Sequence, residues 1–89
     1  MRAVITVLGK DRVGIIAAVS SILANSNVNI LDISQTIMQD VFTMIMLTDV
    51  TGMTMAFDVL SEMLEAKGME LGLYIKMQHE DIFNSMHRI

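Results

Sequence analysis

Cysteine is absent from this sequence, which excludes disulfides, thiolate metal sites and a thiol nucleophile and fits a reducing cytoplasm. Positive charge is scarce: six Lys and Arg residues stand against ten Asp and Glu, for a net charge of −4. The basic residues are also scattered, so no basic stripe is available to neutralise a phosphate backbone, and direct nucleic-acid binding is not expected. A long hydrophobic run is missing too. Residues 13–31 carry no charge, but the stretch from Asn25 to Asn29 interrupts them and leaves only Val13 to Ala24 apolar, short of the roughly 20 residues that cross a bilayer. The opening "MRAVITVLGKD" is too short and too soon charged for a signal peptide. These absences predict a soluble, cytoplasmic protein without membrane contact.

What is present fits one domain, because a chain of 89 residues supports a single core and no segment reads as a linker. Hydrophobic residues make up 53% of the chain before its five glycines are counted, against roughly 45–50% with glycine for an average globular domain. So short a chain buries only about 60–65% of its unfolded surface. The apolar excess and the thin margin together favour self-association.

Along the chain, Arg2 to Leu8 is rich in Val, Ile and Thr and reads as a first strand stopping at Gly9. Ile15, Val19, Ile22 and Leu23 then recur at helical spacing, with Asp11 placed to cap the first turn for roughly 1 kcal/mol. Val28 to Met38 reads as a second strand, with Leu31, Ile33 and Ile37 on one face and Asp32, Ser34 and Thr36 on the other. Gln39 and Asp40 turn the chain into "VFTMIMLTDV", apolar on both faces as expected of a central strand. A second helix follows Gly52, with Asp58, Glu62 and Glu65 outward, Val59, Leu60, Met63 and Leu64 inward, and Gly68 as its stop. Glu70 to Gln78 alternates as a last strand, with Leu71, Leu73, Ile75 and Met77 on its covered face, and Asp81 to Arg88 makes a short terminal helix docked through Ile82, Phe83 and Met86.

This order is βαββαβ, an α+β, ferredoxin-like sandwich: a four-stranded antiparallel sheet, two helices on one face, and a short C-terminal helix. Short right-handed connections put the first and third strands in the centre and leave the second and fourth at the edges. A second strand this long at an edge calls for a partner, which points to a homodimer.

The junction "GKDRVG" after the first strand is bracketed by Gly9 and Gly14. It lacks the spacing of a P-loop, since Ile15 and Ile16 follow Gly14, and it lacks the dinucleotide fingerprint. No cofactor motif is present. A small carboxylate remains, drawn by the free N–H groups at the helix start, with Gly9 and Gly14 allowing close approach. The dipole supplies only about 0.3–2 kcal/mol, so other polar groups must orient the ligand; Asn27, Asn29, Asp32 and Asp11 are the candidates. Many such turns do no more than cap a helix.

Taken together, "GKDRVGIIAAVSSILANSNVNILDISQT" resembles the ACT domain, in which Gly-x-Asp-Arg-Pro-Gly-Ile opens the first helix and Asn-Ile-x-Asp lies in the second strand. The likeness covers nearly the whole chain, being specific in the first half and topological in the second. It is closest to the small stand-alone bacterial and archaeal ACT proteins, and extends to the ACT domains of the glycine-cleavage transcriptional regulator and formyltetrahydrofolate deformylase. The resemblance implies a regulatory module that binds an amino acid or related carboxylate where the first turn meets a neighbouring chain, often in a dimer. The matching positions are Gly9, Asp11, Arg12, Gly14, Asn29, Ile30 and Asp32, with Lys10 and Val13 inside the same turn. Val13 departs from the family's proline, so the helix start loses a fixed φ and gains a donor.

Two other features carry less. Ten methionines suit the alternative of an interaction module that binds no metabolite and holds another protein through an exposed sheet edge or a Met-rich surface, but a methionine is more often gap-filling core. His79 and His87, with Glu80 and Asp81 nearby, lack the i, i+3 or i, i+4 spacing that places two metal ligands on one helix face. Ser20, Ser21, Ser34 and Thr36 have no identifiable base, so neither a metal site nor catalysis is expected.

Overall fold

A computed structural model describes residues 1–10 and 13–86. The strands are β1 (Arg2–Lys10), β2 (Asn29–Met38), β3 (Val41–Asp49) and β4 (Leu73–His79), and the helices are α1 (Ile15–Asn25), α2 (Phe57–Leu71) and α3 (Glu80–Met86). The sheet is antiparallel in the order β2-β3-β1-β4. The expected ferredoxin-like arrangement is therefore present, with β1 and β3 central.

Alternation along the central strands makes one sheet face the core. Ala3, Ile5 and Val7 of β1, Phe42, Met44 and Met46 of β3, and Leu73, Ile75 and Met77 of β4 are buried against Ile15, Val19 and Leu23 of α1 and Leu60 and Leu64 of α2. Three methionines thus act as core fillers, where an unbranched thioether adapts to the gaps between two helices. Among the described residues the buried polar side chains are Thr48, whose hydroxyl donates to the Ala3 carbonyl at 2.9 Å, and Ser26, which donates to the Ile22 carbonyl at 2.8 Å.

Several boundaries differ from the sequence reading. Gly9 continues β1 rather than ending it, because it lies opposite Leu73 and a Cβ there would meet the Leu73 Cδ2 at 2.6 Å. Gly68 does not stop α2: it is buried within the helix, and Gly72, at φ 72°, forms the left-handed C-cap, as glycine commonly does. β4 consequently starts at Leu73, and Leu71 stays helical. The core stripe of α2 is narrow, consisting of Leu60, Leu64 and Gly68 at i, i+4 and i+8, while Val59 and Met63 are exposed.

In β2 the expected alternation breaks at Leu31, the extra residue of a bulge where the register with β3 shifts between Ile30 and Asp32. Ile33 and Ile37 share the helix-facing side but stay exposed, because no helix covers that edge. Gln39 and Asp40 form the hairpin with positive φ at both positions, the mirror-image turn that matches strand twist.

On the outer sheet face, α3 touches β1 and β4, and Arg2 donates to the Glu80 carboxylate at 2.6 Å. Ile82 of α3 is exposed, so it does not dock as expected; Phe83 is half-buried. The side chain of Met86, His87 and Arg88 lie outside the described residues. Among the described residues no helix is long and apolar enough to cross a membrane.

Candidate functional site

β1 delivers Gly9 and Lys10 to one end of the sheet, and α1 starts again at Ile15 with Gly14 as its N-cap. Gly14 sits at φ 92° and ψ 0°, a conformation that costs a side-chain-bearing residue about 1–2 kcal/mol. This kink tips α1 back across the sheet. The first intrahelical bond runs from the Ala18 N–H to the Gly14 carbonyl at 2.9 Å, so the N–H groups of Ile15, Ile16 and Ala17 have no acceptor within the helix. The first turn of α1 holds no acidic residue, and the positive end of its dipole lies there.

The residues that carry these N–H groups border a groove of about 500 Å³ between α1 and the open edge of β2. Among the described residues its floor and walls are mainly apolar: Val13, Ile15, Ile16, Ile37 and Phe42, with Gln35 as the polar side chain that lines it. Val13 is fully exposed at the rim. Chemically, the described residues offer backbone donors for an anionic group, an apolar trough for a short side chain, and the Gln35 amide.

Val13 and Gly14 line the groove, Gly9 and Lys10 lie at the same end of the sheet, opposite Phe42 and Val41, without lining it, and Asp11 and Arg12 lie outside the described residues. The other expected residues are elsewhere in the subunit. Gly9 is level with Phe42 and Ile37, but Asn29 is level with Asp49 and Arg2, roughly 23 Å away along the strands. Ile30 is half-buried opposite Thr48 at that far end. Asp32 faces the other side of the sheet, opposite Leu47, and accepts from the Ile33 N–H at 2.9 Å.

Asn27 is separated from Gly14 by the whole of α1. It takes a left-handed φ of 58° and donates from its Nδ2 to the Gly52 carbonyl at 2.7 Å, while the Thr54 N–H donates to the Ser26 carbonyl at 3.1 Å. Its visible role is to bind the end of α1 to the loop after β3. Gln35, Ile37 and Phe42 were not read as site residues from the sequence; the signal was the hairpin register, which returns the end of β2 to the level of the first turn.

Among the described residues, charge perturbations lie at the far end of the sheet. The Thr51 hydroxyl and backbone N–H donate to Asp49 at 2.6 and 2.9 Å and hold its carboxyl below the usual range, with the chain amino group and Arg2 adding to this. Glu80 raises the Arg2 guanidinium. His79 stacks on Phe57 with ring centroids 4.0 Å apart, and among the described residues no group of three acidic, His or Cys side chains could hold a metal.

The model of the ACT domain family matches residues 2–78. This chain belongs to the ACT domain family. A UPF0237 protein of Clostridium acetobutylicum is 62% identical over the full length of both chains. Among solved structures, an ACT domain protein from Streptococcus pneumoniae superposes with a TM-score of 0.80 at 41% identity, covering 93% of each chain. A putative glycine cleavage system transcriptional repressor follows at TM-score 0.71 and 26% identity, over 86% of this chain and 44% of that one. A formyltetrahydrofolate deformylase of Pseudomonas syringae matches at TM-score 0.79 and 25% identity, over 88% of this chain and 27% of that one. ACT domains are regulatory modules that generally bind small ligands and dimerise.

Proposed function

We propose that this ACT protein is a cytoplasmic, homodimeric regulatory module that binds an amino acid or related carboxylate at the start of α1. The observation that carries the reading is the apolar groove opening onto helix N–H groups with no acidic residue in that first turn. The carboxylate is held by those N–H groups, and a short apolar side chain lies against Ile16, Ile37 and Phe42.

Magnitudes show what one subunit can do. The dipole contributes up to about 2 kcal/mol and burial of a Val- or Leu-sized side chain about 1.5–3 kcal/mol. Together these reach roughly the 4 kcal/mol of a millimolar complex and fall short of the roughly 8 kcal/mol that micromolar binding needs. A second copy supplies the difference. β2 is an open edge whose Gln35 and Ile37 line the groove. Antiparallel pairing of two β2 strands sets the second copy's Asn29 to Asp32 segment beside this turn, which gathers the two separated halves of the motif.

The test is a screen of the twenty amino acids by calorimetry and thermal shift, alongside sedimentation. Binding of at least one at millimolar concentration or below by a dimer is expected. A folded dimer that binds none of them would remove the ligand reading.

A further inference from the structure

The second sheet edge has its own chemistry. β4 pairs with β1 in unbroken register from Ala3↔His79 to Gly9↔Leu73, and among the described residues no strand pairs with its other side. It carries neither a bulge nor a proline, two of the devices that protect sheet edges. Alongside it runs a groove of about 410 Å³ lined by Glu65 and Met69 of α2 and by Leu73, Tyr74, Ile75 and Lys76 of β4. Met69 is 84% exposed, unusual for an apolar side chain that borders a groove.

The charge layout selects the occupant. Asp58, Glu62, Glu65 and Met69 recur at i, i+4, i+7 and i+11 and are all exposed, so they form one stripe along α2. A β4–β4 contact between two copies would bring these acidic stripes together, which opposes self-pairing at this edge. An added strand with basic residues on the helix side meets complementary charge instead, and an apolar residue fits the end of the groove at Met69 and Leu73. On the outer side, Lys76 favours an acidic residue.

We propose that β4 is a docking edge for an extended peptide segment of another protein, which adds as a fifth strand. Antiparallel to β4, its sequence pattern is basic, acidic, basic, polar, apolar. Backbone hydrogen bonds supply the affinity, and the alternate side chains supply the choice of partner. This contact uses the edge opposite the ligand groove and does not depend on the ligand reading.

The probe is a fluorescent, acetylated peptide containing Lys-Glu-Lys-Thr-Leu, with a charge-inverted Glu-Lys-Glu-Thr-Leu control, titrated against the full chain at low salt. The lysine-flanked peptide is expected to bind at least tenfold more tightly than its control, with amide NMR shifts confined to β4 and the adjoining face of α2. Because Glu65 is exposed, Glu65→Lys leaves the fold intact; it should weaken the lysine-flanked peptide about tenfold and strengthen the control. No binding at millimolar peptide, equal affinity for both peptides, or shifts centred away from β4 would each overturn the proposal.

Discussion

Replacing Gly68 by alanine sets two effects of opposite sign against each other inside α2. Helix propensity favours alanine over glycine by about 0.8–1.0 kcal/mol, so the change would stabilise an exposed position. At Gly68 the added Cβ would stand 2.7 Å from the Leu73 carbonyl oxygen, 3.1 Å from the Ile75 Cγ1 and 3.4 Å from its Cδ1. The closest atom is backbone, so it cannot rotate away; α2 and β4 must separate. Overpacking of this kind costs about 1–3 kcal/mol, and backbone involvement places the case in the upper half of that range. The expected net loss is about 1–2 kcal/mol, or a fall in Tm of roughly 5–15 °C for a domain of this size. Calorimetric or circular dichroism melts of wild type, Gly68→Ala and the exposed-site control Ala66→Gly measure both contributions. A Gly68→Ala variant that melts at or above wild type would refute the close approach of helix and strand as the reason for this glycine.

Gly14→Val meets open space around its Cβ but must adopt φ 92°; it should cost about 1–2 kcal/mol of stability and reduce amino-acid binding by more than that, and equal losses measured by calorimetry and thermal melts would make the turn architectural only. Asn27→Ala removes both a residue tolerant of left-handed backbone and the bond to Gly52; a stability loss of about 1–2 kcal/mol is expected in urea titrations, and an unchanged midpoint would remove the bracing role. For Asp49, the folded carboxyl ionises below its usual range, so its stabilising contribution is full above about pH 4 and disappears as pH falls through the lower folded value. Asp49→Asn should flatten the acid limb of stability below about pH 4, followed by urea midpoints from pH 6 down to pH 2.5; a limb as steep as wild type would contradict this.

Much of the fold was legible because local and global preferences agree. Val, Ile and Thr enrichment marked β1, a run apolar on both faces marked β3, and the 3.6-residue period marked α1, whose Ile15, Val19 and Leu23 are the buried positions. The errors share a cause. Gly68 and Gly72 look alike in a string, but one is small so that β4 can approach and the other supplies a positive φ. Leu31 matched the alternation, yet the bulge that displaces it arises from pairing with β3. Likewise the narrow core stripe of α2 depends on how closely the helix lies on the sheet.

For the candidate site, the sequence alone picked out the motif Gly9 to Gly14 and the pair Asn29 and Asp32, because glycine placement and residue type are local properties. That the two groups sit at opposite ends of one subunit, and that Gln35, Ile37 and Phe42 complete the groove, was decided by antiparallel register alone. Residue type fixes which groups are able to accept, donate or bury themselves. Which of them meet depends on strand pairing, a long-range choice that no window of neighbouring residues contains.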